Sequence, residues 1–142
     1  MTGAPAIAVP RSLVGEMFAH AWRARPEECC GLVGGVGGAA RSVYRLRNVA
    51  RDPSKAYEGA PQELFDAQRM MRERGERLIA IYHSHPRAAD PTPSESDVRA
   101  AYYPAAVHFI IGLAGDAPAL RAFRLFEGEG RWERVEYEIA EE

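Results

Sequence analysis

The chain has 142 residues, and this length suits one folded domain, since typical domains contain about 100 to 150 residues. Its 18 basic and 20 acidic residues leave a net charge of −2, which argues against nucleic acid or an anionic membrane as a partner. No apolar run approaches the roughly 20 residues that cross a bilayer, and the N-terminus lacks the features of a signal peptide. We therefore expect a cytoplasmic protein with a single domain over residues 1–142.

The first part of the chain predicts a short strand, a helix and a hairpin. Residues 7–9 indicate the strand, and Ser12 stands where it would cap an amphipathic helix. Segments 30–34 and 41–47 then predict a β-hairpin around the glycines of 34–38. These glycines also resemble a phosphate-binding loop, but no Lys-Ser or Lys-Thr follows them, so the hairpin is favoured.

Two adjacent cysteines lie at the start of the hairpin. Neighbouring residues of an extended chain point to opposite sides, so Cys29 and Cys30 are expected to be two buried, reduced thiols. Reduced thiols fit a reducing compartment. A strained vicinal disulfide and ligation of a metal by one thiol are the alternatives.

The sequence next indicates a loop and a helix. Residues 48–59 are rich in Pro, Ser, Lys and Gly, which is typical of a surface loop. The helical spacing of apolar residues over 61–74 predicts a helix that begins with Pro61 and ends before Gly75. We expect this helix to cover one face of a sheet.

A buried strand that ends in two histidines follows. The apolar segment 77–82 predicts the strand, and Pro86 ends it because proline cannot donate a ladder hydrogen bond. Residues two apart on a strand point to the same face, so His83 and His85 are expected to project together at its carboxyl end. Open α/β sheets usually bind ligands at that end of their strands.

A serine and an aspartate begin the next helix. Ser94 precedes a helical run over 95–102 that Pro104 stops, and serine is a favoured N-cap residue. Ser94 and Asp97 fit the S-x-x-D capping pattern without any metal. Alternatively, Asp97 joins the two histidines and leaves one position of a tetrahedral Zn²⁺ open for water, as in catalytic zinc sites. The ion would acidify that water and polarise a carbonyl.

The last part of the chain predicts strands only. These strands are expected over 107–113, 120–126 and 132–139, with a turn at 128–130 between the last two. His108 lies within an apolar strand and is expected to be a core histidine, not a metal ligand.

At the histidine and serine segments the chain resembles the JAMM, or MPN-plus, zinc metalloproteases. Their signature is a distant glutamate in an E-x-C-G context, then H-x-H, a spacer and S-x-x-D. Here the three parts are Glu28-Cys29-Cys30-Gly31, His83-Ser84-His85 and Ser94-Glu95-Ser96-Asp97. Only the resemblance selects Glu28 over the neighbouring Glu27. The spacer 86–93 is one residue longer than is usual in the family, and the extra residue lies ahead of the helix start.

The resemblance implies a fold and a site. The fold would be a single α/β domain with a mixed β-sheet flanked by helices, layered as in cytidine deaminases, with the metal at one sheet edge. One Zn²⁺ per chain would be held by His83, His85 and Asp97, although His and Asp suit other divalent ions as well. Glu28 would take a proton from the water and pass it to the leaving amine. The Ser94 hydroxyl would donate to the developing oxyanion.

The resemblance also implies a substrate class. Small members of the family are similar to enzymes that hydrolyse a peptide or isopeptide bond after the C-terminal Gly-Gly of a ubiquitin-like or sulfur-carrier protein, a tail that can pair with a strand edge. The alternative is a non-catalytic MPN-type scaffold that binds a partner protein, but such relatives usually lack part of the ligand set. Zinc-dependent deamination would need H-x-E and P-C-x-x-C arrangements, which the sequence lacks. The sequence does not predict the oligomeric state.

Overall fold

A computed structural model describes residues 7–99 and 106–141. Its helices are α1 Arg11–Ala24, α2 Pro61–Glu73 and α3 Glu95–Arg99, with a short 3₁₀ turn at Glu127–Glu129. Its strands are β1 Ile7–Pro10, β2 Cys30–Val36, β3 Ala39–Leu46, β4 Arg77–His85, β5 Val107–Gly112, β6 Ala119–Phe126, β7 Arg131–Val135 and β8 Tyr137–Ala140. Among the described residues, no helix is long and apolar enough to cross a membrane.

The eight strands form one mixed sheet in the order β7-β6-β5-β4-β2-β3-β1-β8. The β4–β5, β1–β3 and β1–β8 pairs are parallel, and the other pairs are antiparallel. Helices cover the sheet, so the predicted fold class of a mixed sheet flanked by helices is confirmed.

The predicted single strand over 132–139 is wrong. The chain leaves β7 at one end of the sheet and, after Glu136 alone, enters β8 at the other end. Since consecutive strands lie at the two ends, the sheet has to curl until those ends approach each other. A continuous strand signal in the sequence does not reveal that its two halves pair with different neighbours.

Different helices pack on the two faces of the sheet: α1 on one face, and α2 and α3 on the other. Tyr82 and Phe109 belong to the core cluster under α1, while Leu32 and Ile81 belong to the cluster under α2. Val98 of α3 packs in a third cluster with apolar residues of β5 and β6. Burying such side chains contributes about 1.5 to 3 kcal/mol each. The face under α2 and α3 also carries the two histidines of β4.

Helix α1 begins without the predicted cap. Its N-cap residue is Pro10, no side chain caps it, and Ser12 already lies in the first turn. Pro10 takes the φ of −57° that its ring imposes, with an extended ψ of 142°, and so leads directly from β1 into the helix. The helix therefore starts two residues earlier than a cap at Ser12 would allow, at Arg11 instead of Leu13.

Helix α2 and strand β4 follow the prediction closely. Pro61 is at the first helical position, and Gly75 takes a positive φ of 71° just past the helix end. Strand β4 continues through His85 and ends at Pro86, so it carries both histidines. Of the helix predicted over 95–102, the structure has Glu95–Arg99, and the remaining residues lie outside those described.

The histidine end of β4 is not at a sheet edge. β4 lies between β5 and β2, with three strands on one side and four on the other. The expectation of a metal at one sheet edge is therefore wrong. The histidines lie at the carboxyl end of an interior strand, with β2 and β5 as its neighbours on the two sides.

Candidate metal centre

Two histidines at the carboxyl end of β4 bring their rings together. His83 is fully buried and His85 is partly exposed. Their Nε2 atoms are 3.1 Å apart, and their ring centroids are separated by 4.9 Å. The two side chains share one face of the strand, as their spacing predicts. The strand therefore presents two imidazole nitrogens to one point.

Asp97 reaches the same point from the first turn of α3. Its Oδ2 lies 3.1 Å from Nε2 of His83 and 3.1 Å from Nε2 of His85. The backbone N–H of Ser94 donates to Oδ2 over 2.9 Å, and the backbone N–H of Asp97 donates to the Ser94 hydroxyl over 3.0 Å. The capping interpretation of Ser94 is thus confirmed, and the same cap holds the carboxylate against the histidines.

The Ser94 hydroxyl is exposed beside this cluster. Because its oxygen accepts from the backbone of Asp97, its own hydrogen is available to another acceptor. Ser96 Oγ lies 3.1 Å away, and either hydroxyl can be the donor of that bond. A substrate oxygen can compete for the same hydrogen.

Glu28 arrives from the residues just before β2. Cys30 pairs with His83 in the antiparallel β2–β4 ladder, which brings Glu28 to the end of β4. The ligand atoms of Glu28, His83 and His85 lie within 4.8 Å of one another. Glu28 is buried and its Oε1 has no hydrogen-bond partner within residues 7–99 and 106–141, whereas Glu27 is exposed. A buried oxygen without a partner is uncommon and is typical of a functional site.

The backbone around Glu28 is held on both sides. The N–H of Glu28 donates to the carbonyl of Pro53 over 2.8 Å, and the side-chain amide of Asn48 donates to the carbonyl of Glu28 over 2.9 Å. On the other side, the N–H of Cys29 donates to the Ser84 hydroxyl over 2.8 Å. The carboxylate therefore extends from a fixed main chain.

The pKa values of the two carboxylates in the site shift in opposite directions. Burial raises the pKa of Glu28 to about 7. Burial also opposes ionisation of Asp97, but the charges and hydrogen bonds of the histidines outweigh it and hold the pKa of Asp97 well below its usual value. Near neutral pH Asp97 is a carboxylate, while Glu28 can exchange a proton.

The pKa values of the two histidines also shift in opposite directions. Burial lowers the pKa of His83, against the influence of Asp97. Burial acts in the same direction on His85, but the hydrogen bond and charge of Asp97 raise its pKa above the ordinary value. In the metal-free protein, Asp97 therefore favours the protonated form of His85, while burial favours the neutral form of His83.

A cavity of about 400 Å³ lies between α2, β2, β4 and the 48–59 loop, and Tyr57, which stacks on His83, is part of its wall. It is lined by Cys30, Gly31, Leu32, Leu46, Tyr57, Glu58, Gly59, Pro61, Leu64, Ile81 and His108. His108 is buried, its pKa is lowered by burial to about 4, and neither ring nitrogen has a hydrogen-bond partner among the described residues. Within residues 7–99 and 106–141 it does not join the converging ligand atoms, in line with its prediction as a core histidine.

Both cysteines are buried free thiols, as predicted. Burial raises the pKa of Cys29 to about 11 and that of Cys30 to about 12. The Cys30 thiol donates to the carbonyl of Leu46 over 3.8 Å. In the described part of the chain, neither thiol belongs to the group of ligand atoms around His83 and His85.

Sequence reasoning missed three residues that support the site. The sequence assigns no role to Ser84, which lies between the two histidines, and it predicts a surface loop over 48–59. In the structure, the Asn48 side chain makes hydrogen bonds to the main chain of that loop and to the carbonyl of Glu28. The ring of Tyr57 stacks on His83. An asparagine directly after a strand is a common turn residue, and this signal could have indicated a closed loop.

Most of the chain matches a known family. Residues 10–126 match the family described as prokaryotic homologs of the JAB domain. The chain is 38% identical over 121 residues to a probable TtuB-protein conjugate cleaving protease of Thermus thermophilus, with 85% of this chain and 77% of that protein covered. It is 32% identical over 126 residues to the CysO-cysteine peptidase of Mycobacterium tuberculosis, with 86% and 84% covered.

Solved structures share the fold. A protein of Desulfitobacterium hafniense, solved in solution, superposes with a TM-score of 0.83 at 32% identity, covering 96% of this chain and 94% of that one. A structure described as JAMM, a metalloprotease-like zinc site in the proteasome and signalosome, superposes with a TM-score of 0.58 at 16% identity, covering 96% and 99%, which is a likeness of fold alone. The chain therefore belongs to the prokaryotic JAB family and is a peptidase.

Proposed function

We propose that this peptidase uses zinc to hydrolyse the peptide or isopeptide bond that follows the C-terminal Gly-Gly of a ubiquitin-like or sulfur-carrier protein. The observation that carries the proposal is the convergence of His83, His85 and Asp97 at 3.1 Å beside Glu28, whose buried Oε1 has no partner in the described part of the chain. Three ligand atoms and a neighbouring base are the components that hydrolysis at a metal needs.

The three converging atoms suit a zinc ion. Bonds of about 2.0 to 2.1 Å place the ligand atoms of a tetrahedral zinc about 3.3 to 3.4 Å apart, which is close to the 3.1 Å spacing here. Two imidazole nitrogens and one carboxylate oxygen are also ligands that catalytic zinc sites use. The orphaned Oε1 of Glu28 lies next to this set, as a base for hydrolysis would.

Either carboxylate could complete the histidine pair, and the structure favours Asp97. Asp97 Oδ2 is 3.1 Å from both nitrogens, whereas the group that includes Glu28 spans up to 4.8 Å. Asp97 is ionised at neutral pH because its pKa is low, and Glu28 is not fully ionised because its pKa is about 7. We therefore assign His83, His85 and Asp97 as ligands and Glu28 as the proton carrier.

Each polar residue then has one task. When bound, zinc acidifies a water molecule and polarises the substrate carbonyl. Glu28 accepts a proton from the attacking water and later gives it to the leaving amine. Ser94 donates its hydroxyl hydrogen to the developing oxyanion, and the loss of such a donor typically lowers the rate by about two to three orders of magnitude.

The substrate class is supported by two relatives and by the access to the site. One relative is named for cleaving TtuB-protein conjugates and the other for CysO-cysteine. The His83 side chain is fully buried, and that of His85 is only 17% exposed. A Gly-Gly tail carries no side chains, so its extended backbone can approach ligands in such a recess.

The test is cleavage of a carrier fusion. A sulfur carrier that ends in Gly-Gly and continues into a short peptide should be cut after Gly-Gly by the zinc-loaded protein, and mass spectrometry identifies the bond. Chelation should stop the reaction, and added zinc should restore it. Glu28→Gln should stop turnover, while Glu27→Gln, on the exposed neighbour, should not.

Three outcomes would contradict the proposal. No cleavage across several Gly-Gly carriers would overturn the substrate class. Full activity in the chelated protein would overturn the role of zinc. Tight binding of carriers without any turnover would instead favour the non-catalytic scaffold.

A further inference from the structure

The ring of His83 is held differently on its two sides. Its Nε2 faces Asp97 and His85 at 3.1 Å, while its Nδ1 is buried and has no hydrogen-bond partner among the residues that the structure describes. A histidine that binds a metal through one nitrogen almost always donates the other N–H to a carboxylate, a carbonyl or water, and this bond fixes the ring orientation. For His83 the residues described, 7–99 and 106–141, supply no such bond at Nδ1, so we expect another contact to orient the ring.

That contact is the ring of Tyr57. The two ring centroids are 4.2 Å apart and the planes are inclined by 22°, which is a stacked arrangement. Stacked aromatic pairs contribute about 0.5 to 1.5 kcal/mol beyond the area they bury. A flat ring against the imidazole restricts its rotation about χ2 and leaves both nitrogens in place.

The main chain on both sides of Tyr57 is in turn held by the side chain of Asn48. The amide of Asn48 donates to the carbonyl of Ala56 over 3.0 Å, and its oxygen accepts from the backbone N–H of Glu58 over 3.1 Å. The residues immediately before and after Tyr57 are therefore both bonded to Asn48. The loop is closed at its base by the β-bridge between Asn48 and Gly59.

The same asparagine reaches the base of the site. Its amide also donates to the carbonyl of Glu28 over 2.9 Å, and the N–H of Glu28 donates to Pro53 within the same loop. The Asn48 side chain thus bonds both to the main chain of Glu28 and to the main chain on either side of Tyr57. The loop links a metal ligand on β4 to the base ahead of β2.

We propose that Tyr57 is the positioning residue for His83, and that its stacked ring, locked by Asn48, replaces the hydrogen bond that would normally orient a metal-binding histidine. The proposal rests on the proposed function, because it takes His83 as a zinc ligand. It goes beyond that function in assigning a role to the 48–59 loop.

Metal affinity tests the proposal without reference to activity. Tyr57→Leu should lower zinc affinity by about 10- to 100-fold, the usual cost of losing a residue that orients a metal ligand. Tyr57→Phe keeps the ring and should bind zinc like the wild type. Phe65→Leu makes the same aromatic-to-aliphatic change at a residue of α2 that is 58% exposed, and should leave affinity unchanged. Competition with a chromophoric chelator measures each affinity.

Cobalt substitution separates positioning from a general loss of stability. The Co²⁺ absorption bands report ligand geometry, so they should shift in Tyr57→Leu and not in Tyr57→Phe. Met71→Ala, in the buried cluster under α2, should lower stability but leave the spectrum of the bound fraction unchanged. Asn48→Asp, which loses the amide donors, should produce the same spectral shift as Tyr57→Leu.

The outcomes distinguish this inference from the proposed function. If the wild type binds no zinc or cobalt, the proposed function fails and takes this inference with it. If the wild type binds metal and Tyr57→Leu binds it as tightly with the same spectrum, only the positioning role of Tyr57 is overturned. A loss in Tyr57→Phe equal to that in Tyr57→Leu would also overturn it, because the hydroxyl and not the ring would then be responsible.

Discussion

The backbone N–H of Cys29 donates to the hydroxyl of Ser84 over 2.8 Å, so the residue between the two histidines is bonded to the residue after Glu28. The N–H of Ser84 returns a bond to the carbonyl of Cys29 over 3.2 Å. Ser84 is fully buried on the opposite face of β4 from the histidines. The strand that carries the ligand pair thus also fixes the segment that carries the base.

Ser84→Ala should therefore affect both stability and catalysis. The substitution leaves the N–H of Cys29 buried without an acceptor, which costs about 1 to 3 kcal/mol of the free energy of unfolding. Since Cys29 is adjacent to Glu28, we also expect a lower kcat with zinc affinity unchanged. Urea unfolding and steady-state kinetics measure the two effects.

Ser54→Ala is the matched control for this change. Ser54 donates to Asp52 in an exposed pair on the loop. Its removal should alter stability by less than about 0.5 kcal/mol. If Ser84→Ala were as mild as Ser54→Ala in both measurements, the bond between Ser84 and Cys29 would have no structural role.

Glu28 should make the metal-free protein less stable as the pH rises. Its pKa is raised by burial from 4.5 to about 7, so between these values the folded protein keeps a proton that the unfolded chain has released. The stabilisation is complete below about pH 4.5 and is lost as the pH rises through about 7. Allowing for solvent screening, the loss is on the order of 2 kcal/mol.

Glu28→Gln isolates this effect, because glutamine has nearly the same shape and does not ionise. In the metal-free protein the variant should be more stable than the wild type at pH 8, and the two should be nearly equal at pH 4.5. Urea unfolding at both pH values measures the difference, with Glu27→Gln as the control. A stability gain that is the same at both pH values would show that the titration of Glu28 is not its cause.

Some features of the site could be predicted from local sequence because they depend only on short spacings. The shared face of His83 and His85 follows from the two-residue period of a strand, and the cap between Ser94 and Asp97 follows from one helical turn. The end of β4 at Pro86 follows from the missing N–H of proline. Prediction and structure agree in all three of these features.

Other features depend on pairing between distant segments and could not be predicted in this way. Glu28 approaches the histidines because Cys30 pairs with His83, and no periodicity in the sequence encodes that register. Family resemblance, and not spacing, separated Glu28 from Glu27. The division of the last strand at Glu136 and the packing of the 48–59 loop against His83 depend on tertiary contacts in the same sense.

Ser94→Ala should lower catalysis more than stability. Loss of the cap costs about 1 kcal/mol, and loss of an oxyanion donor lowers kcat by about 10²- to 10³-fold. Ser94→Thr keeps a hydroxyl that can cap the helix and donate, so it should recover most of both properties. Steady-state kinetics with a carrier fusion, alongside thermal unfolding, measures the two effects. Equal activities of the Ala and Thr variants would exclude the hydroxyl from the reaction.

Zinc should raise the melting temperature of the wild type and should not do so in Asp97→Asn. A ligand present at about 100 times its dissociation constant stabilises a folded protein by about 2.7 kcal/mol, because only the folded state assembles the site. Asparagine retains an oxygen that can accept from the N–H of Ser94, so the variant keeps the cap and loses the charge. Asp90→Asn, in the exposed ion pair with Arg121, is the matched control and should keep the full zinc response. If Asp97→Asn responded to zinc like the wild type while Glu28→Gln did not, the third ligand would be Glu28, and the roles of the two carboxylates would have to be exchanged.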